Sequence, residues 1–209
     1  KRMFDGGANG GESIGRYLTP FAYASTAMAL LILLFSEEAV RLLTPASYHG
    51  AIPIVMILSL YMGFLFFDKQ PQLLYAKKTA VTSLLTFVSI GLNVAINIPF
   101  IKWWGAIGAA WGTLTAGFVT VGISFALSQH YYRIGWEYGK LMMIYLFPAA
   151  ALVGLIFLLS IEVPYSMRLV VKLGILGGYA LLGARLGIVT IANLAMVRNL
   201  LPKSLGFKP

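Results

Sequence analysis

Six stretches of the chain are apolar over 18 residues or more. They run roughly Tyr17–Leu43, Ala51–Ala76, Ala80–Ile101, Ala106–Ser128, Tyr138–Ile161 and Leu169–Leu186. At 1.5 Å per residue each is long enough to cross the roughly 30 Å hydrocarbon core of a bilayer. Short polar breaks separate them and leave no room for a soluble domain. The chain is 209 residues long, with only 11% charged residues and a mean hydropathy of +0.82. A water-soluble domain carries about 25% charged residues. The expected fold is therefore an all-α, polytopic transmembrane helix bundle of about six spans.

The net charge is +9, and the Lys and Arg sit in short clusters between apolar runs. That is the pattern of basic loops on a membrane protein, and it argues against nucleic acid as a partner. With both ends of the set on the cytoplasmic side, that side carries Lys1, Arg2, Arg16, Lys69, Lys77, Lys78, Arg133, Lys140, Arg185, Arg198, Lys203 and Lys208. The other side carries Arg41, Lys102, Arg168 and Lys172. The 12 to 4 division supports this orientation and an even number of crossings in the cytoplasmic membrane. There is no cysteine, which removes thiol chemistry. No cofactor is expected.

The opening "KRMFDGGANGGES" is polar and Gly-rich. Residues 1–15 are expected as a cytoplasmic loop continuing from an earlier helix, and residues 16–188 as the membrane-spanning unit. The tail, residues 189–209, interleaves Ile191, Leu194, Met196, Leu200 and Leu201 with Asn and Arg. It reads either as an amphipathic helix on the cytoplasmic interface, with Arg198 and Lys203 near anionic head groups, or as an extension of the sixth helix.

The polar groups within the apolar runs are the candidate site. In "FFDKQPQLLYAKKT" the apolar run beginning at Ala51 meets Asp68 and Lys69, then Pro71, then a second basic break at Lys77-Lys78. A helix ending at Phe67 would leave Leu73, Leu74, Tyr75 and Ala76 in a loop. A helix from Ala51 to Ala76 is the favoured alternative, about 39 Å long, kinked near Pro71 because proline removes a donor and clashes with the preceding turn. Asp68 and Lys69 would then lie below the membrane surface, where an ionisable residue normally faces protein or a water-filled path. Lys69 would hold an anionic group such as phosphate, or snorkel to the interface. Asp68 would carry a coupling proton or cation, or simply pair with Lys69 or Lys77.

Asn93 and Asn97 lie four apart and share a helical face, suited to hydrogen bonds with a neighbouring helix or, as the lesser alternative, to substrate. Arg16 faces either a cavity or lipid phosphates. Tyr61 and Tyr75 are further candidate site residues in the second apolar run. Glu37 and Glu38 are expected to be solvated at the far end of the first helix. His49 and His130 fall in loops on opposite sides, so they form no shared metal or catalytic site, and no catalytic triad or paired acid set can be assembled. In "WWGAIGAAWGTLTAGF" the small residues at 105, 108, 109, 112 and 116 predict a close helix contact, and Gly174, Gly177, Gly178 and Gly183 do the same in the sixth span.

The run "LLYAKKTAVTSLLTFVSIGLNVAINIPFIKWWGAIGAAWGTLTAGFV" carries a K-T loop, then Leu92, Asn93 and Asn97, then Gly105, Gly108, Ala109, Ala110 and Thr113. With "EEAVRLLTPASYHGAIPIVMILSLY" before it and "GIVTIANLAMVRNLLPK" after it, the order resembles the C-terminal half of polysaccharide flippases. These belong to the multidrug/oligosaccharidyl-lipid/polysaccharide exporter superfamily. The resemblance covers roughly Arg16 to Lys203. It implies one lobe of a two-lobe, alternating-access transporter that moves lipid-linked oligosaccharides, with membrane lipids and a missing N-terminal lobe as its partners and no enzymatic step. Many members carry Ser, Ala or an apolar residue where this chain has Asp68-Lys69, so the pair has no inherited role. The alternatives are a cation-coupled small-molecule exporter of the same superfamily using Asp68, an integral-membrane glycosyltransferase, for which the loops are short, and a non-transporting scaffold.

Overall fold

The computed structural model describes the backbone of residues 7–67, 71–161 and 163–188. It is all-helical, with no strand among the described residues. In chain order the helices are α1 (Gly7–Leu34), α2 (Ser36–Leu43), α3 (Ile52–Phe64), α4 (Pro71–Tyr75), α5 (Thr79–Tyr131), α6 (Tyr138–Ser160) and α7 (Tyr165–Arg185). Single 3-10 turns occupy Ala46–Ala51 and Leu65–Phe67. Five segments are long and apolar enough to cross a membrane: Gly11–Leu34, Ala46–Tyr75, Thr79–Tyr131, Tyr138–Ser160 and Tyr165–Arg185.

At 53 residues α5 would be about 80 Å long if straight. It is not straight. Gly105 has φ +60° and ψ −136°, a conformation open to glycine and strained for any side chain. The chain reverses there. A Cβ placed on Gly112 would stand 3.1 Å from the Cα of Asn97, and one on Gly108 would collide with the carbonyl of Phe100. Contacts between 97 and 112 and between 100 and 108 require two antiparallel arms, residues 79–104 and 106–131. Each arm is about 39 Å long, enough for one crossing. The third and fourth apolar stretches of the sequence are thus two passes of one hairpin. On the second arm Gly108, Gly112, Ala116, Thr120, Ser124 and Ser128 are buried at every fourth position. The small-residue face anticipated at 108, 112 and 116 therefore continues through three hydroxyl residues.

The centre of the bundle is α1, α3 and α6, where Leu30, Leu33, Leu34, Met56, Ile57, Ile144, Leu152 and Leu155 are buried. Gly63 lets α3 approach α1 closely: a Cβ there would meet the methyl of Ala29 at 3.2 Å. In lipid such close van der Waals contact replaces the hydrophobic effect as the attraction between helices. Several hydroxyls in the spans bond to their own helix, whereas the buried Thr120 and Ser128 hydroxyls have no partner among the described residues. Thr19 donates to the carbonyl of Gly15 at 3.0 Å, Thr26 to that of Ala22 at 2.7 Å and Ser59 to that of Val55 at 2.7 Å.

Three boundaries differ from expectation. Residues 7–15, expected within a loop, are the first turns of α1. The helix tolerates its glycines because two of them admit another strand of backbone: a Cβ on Gly11 would stand 2.5 Å from the carbonyl oxygen of Arg133, and one on Gly15 would collide with that of Gly135. The 17–43 stretch breaks at Phe35, where ψ is 13°, so that α2 leaves at an angle. The 51–76 stretch narrows to a 3-10 turn at Leu65–Phe67, and α4 opens on Pro71. Proline at a first helical position costs no hydrogen bond. At the other end of α4 the amide of Lys78 donates to the carbonyl of Leu73 (3.0 Å) and that of Lys77 to Leu74 (3.1 Å), with Lys77 left-handed at φ +55°. This closing loop is the second basic break of the sequence.

Candidate functional site

The expected site residues do not converge. Asp68 and Lys69 lie outside the described residues, as does the 189–209 tail. Asn97 donates from Nδ2 to the carbonyl of Asn93 at 2.9 Å and to its Oδ1 at 3.1 Å. The pair is thus bonded within its own helix rather than to a neighbour. Its Oδ1 is packed over Gly112, where a Cβ would approach within 2.6 Å. Tyr61, on α3, packs its ring on Gly117, on a different side of the same arm. Positions 112 and 117 are five residues apart, about 140° around the helix. Arg16 and Tyr75 are exposed at the opposite end of the bundle from Gly105, the end that holds the 131–138 connection. Tyr75 meets the ring of Tyr132 there at 5.9 Å.

That same end is closed by polar contacts. The Gln129 side chain accepts from the amide of Ile134 at 2.8 Å and donates to its carbonyl at 3.1 Å. The amide of Gly135 donates to the carbonyl of Gly11 at 3.1 Å, pinning the connection to α1. Trp136 is buried between Phe67 and Phe125. Glu137 forms an ion pair with Lys140 at 2.7 Å. Burial raises the Glu137 pKa, but the hydrogen bonds from Lys140 and Thr19 and the charges of Lys140 and Arg16 outweigh it. The carboxyl sits below its ordinary value. Beside this region a cleft of about 380 Å³ runs between α3, the second arm of α5 and α6. Its walls are aromatic and aliphatic, including Phe64, Phe118, Phe125 and Tyr145, and among the described residues none of the expected site residues lines it.

The most concentrated chemistry lies at the other end, where sequence reasoning placed solvated acids. Glu37 is fully buried and Lys172 is 1% exposed. Lys172 Nζ donates to Glu37 Oε2 at 3.0 Å and to Glu38 Oε1 and Oε2 at 2.7 and 2.9 Å. Glu37 Oε1 faces Arg168 Nη2 at 2.9 Å and Arg41 Nε at 3.2 Å. These two are charge contacts without hydrogen-bond alignment, so Oε1 accepts no hydrogen bond among the described residues. The Tyr165 hydroxyl donates to Glu38 Oε1 at 3.2 Å. Burial pushes the Glu38 carboxyl up. The bonds from Lys172, a backbone amide and Tyr165, with the Lys172 charge, more than offset this and leave its pKa lowered.

The solvated reading of Glu37 and Glu38 is therefore corrected. They are the acidic half of an ion cluster between α2 and α7, carrying two negative and three positive side chains. The backbone departs from helical values at Phe35, just before the acids, with ψ 13°. Arg168 and Lys172, four apart on one helix face, were the available sequence signal. Nothing in a single sequence joins Lys172 to acids 134 and 135 positions away.

A second long-range contact ties α7 to α1. The rings of Tyr23 and Tyr179 stack with centroids 4.7 Å apart. Tyr23 donates to the carbonyl of Tyr179 at 3.0 Å, and Tyr179 to that of Tyr23 at 3.4 Å. Comparison with family models, with curated proteins and with solved structures finds no match to the chain in any of the three.

Proposed function

We propose that this chain forms one lobe of a membrane transporter that carries lipid-linked oligosaccharide or polysaccharide precursors across the cytoplasmic membrane by alternating access. The observation that carries the reading is the α5 hairpin. The residues on which the flippase resemblance rests, Leu92, Asn93 and Asn97 on one arm and Gly108, Ala109, Ala110 and Thr113 on the other, belong to one folded unit hinged at Gly105. The first arm exposes Leu84, Phe87, Ile90, Val94 and Ile98, an apolar face suited to lipid or to a second lobe.

The chemistry of the cargo fits the cationic groups. A pyrophosphate and its sugars cannot cross about 30 Å of hydrocarbon unaided. Lys69 is proposed to take the phosphate as a point charge, and Arg16 and Tyr75 are proposed to meet the head group and sugars. Asn93, Asn97 and Tyr61 are proposed as further contacts for the sugars. Asp68 is the candidate for ion coupling.

The test is translocation of a pyrophosphate-linked oligosaccharide lipid in vesicles holding the complete two-lobe protein. Lys69→Ala is expected to lower the rate without lowering membrane abundance. Unchanged translocation removes Lys69 from the site, and no translocation by the unaltered protein removes the reading.

A further inference from the structure

α7 is thinly packed. Only 17% of the residues in its most apolar stretch are buried, against 39% in α1 and in α6. Its backbone approaches α1 and α6 and has no extensive contact with α2. Among its described residues just three are buried: Lys172, Tyr179 and Gly183. The inner two are held by α1. Tyr179 stacks on Tyr23, and a Cβ on Gly183 would collide with the Tyr23 ring. Phe147 of α6 closes on Gly178, at 3.2 Å from where a Cβ would stand. The outer part, residues 165–174, has one buried residue, and that residue is a lysine.

The outer part of α7 is therefore held chiefly by side-chain charge. Lys172 and Arg168 reach Glu37, and Lys172 and Tyr165 reach Glu38. Of the apolar residues in this part, Met167, Val170 and Leu173 are each more than half exposed, and Leu169 and Val171 are only partly buried. A buried ion cluster recovers little net free energy, because desolvating the charges cancels most of their attraction. Its hydrogen bonds hold only in one alignment, while the charge attraction itself falls off gradually with distance. α2 begins at the Phe35 break, while α7 is an unbroken helix that carries Gly174, Gly177 and Gly178 between the cluster and Tyr179, the first two facing open space. Glycine weakens a helix interior, and Tyr179 lies about 10 Å along the helix from Lys172.

We infer that residues 165–174 of α7 are a hinged arm, latched to α2 by Lys172 and Arg168 on Glu37 and Glu38 and pivoting at the Tyr23–Tyr179 stack. The inference rests on packing and charge, and it stands whether or not the chain moves an oligosaccharide lipid. Opening the latch frees the outer end of α7 while its inner end stays docked.

The experiment is a pair of spin-label distances in the full chain in lipid nanodiscs. Labels at Leu42 and Met167, both exposed and outside the cluster, report on the outer end. Labels at Ala24 and Leu181, also exposed, report on the inner end. Lys172→Met is expected to broaden and lengthen the outer distance, with the inner distance unchanged. Lys172→Arg is expected to keep the outer distance narrow.

If Lys172→Met does not fold, Glu38→Gln with Tyr165→Phe weakens the latch while leaving the Glu37–Lys172 pair in place, and a smaller broadening at the outer end is expected. A narrow, unshifted outer distance in the folded variants overturns the inference. So does equal movement at both ends, which would mean that α7 shifts as a rigid body.

Discussion

Tyr23 and Tyr179 lie face to face, their planes 2° apart, and each donates its hydroxyl proton to the other's backbone carbonyl. Two residues 156 positions apart thus exchange two hydrogen bonds and a ring contact in a region with little water to compete. The carbonyls they engage belong to helices, so each accepts a second bond without disrupting the ladder. Tyr179→Phe removes one bond and keeps the stack, so a loss of about 1 kcal/mol is expected. Gly183→Ala drives a methyl into the Tyr23 ring, and about 1–3 kcal/mol is expected. Unfolding titrations in mixed micelles measure both. If Gly183→Ala cost nothing, the close approach of α7 to α1 would be refuted.

The α5 hairpin depends on one backbone conformation. Gly105→Ala retains the sequence on both sides but forces a side chain into a region that is essentially closed to it, at a cost of about 1–3 kcal/mol. Gly108→Ala adds a collision with the Phe100 carbonyl. Backbone, unlike the tip of a flexible side chain, cannot move aside cheaply. The expected order is that both variants unfold earlier than Gly122→Ala, where a Cβ has open space. Equal stability of all three would contradict a tight turn at 105.

Topology is open to a direct measurement. With a single cysteine at Lys78 or at Trp104, an impermeant maleimide added to intact cells is expected to label position 104 and not position 78. The two sites lie at opposite ends of the first α5 arm, about 39 Å apart. The opposite labelling pattern would invert the orientation drawn from the Lys and Arg distribution.

Acid should loosen the connection at residues 133–137. The folded-state pKa of Glu137 lies below the ordinary 4.5. A depressed carboxyl contributes stability that is complete above its unfolded pKa and is lost as pH falls through the lower folded value. Exchange of the backbone amides in 133–137 is therefore expected to rise as pH drops below about 4.5, after correction for intrinsic exchange. Glu137→Gln is expected to flatten that dependence. An identical pH profile for the variant would show that the Lys140, Thr19 and Arg16 contacts do not hold the connection.

Much of the architecture was legible from the chain because the bilayer imposes a simple rule. A segment that crosses hydrocarbon must be apolar over about 20 residues and must satisfy its own backbone, which leaves helices as the answer here. The six apolar stretches, the close approaches at Gly108 and Gly112 and the basic break at Lys77-Lys78 all follow from that rule and from residue size. The candidate site was less legible. Asn97 carries the polar signal of a binding residue, yet its amide is bonded to Asn93 and packed on Gly112. Glu37 carries the signal of a solvated helix end, yet it is the most enclosed acid described.

What the sequence by itself determined is where the chain is greasy, where it turns and where its charges lie along the contour. Those are local properties, set by each residue and its near neighbours. Which charges meet was decided only by the tertiary structure, because the partner of Glu37 is chosen by the path that carries α7 back past α2. A buried charge is stable only beside its counter-charge, and that adjacency belongs to the folded chain.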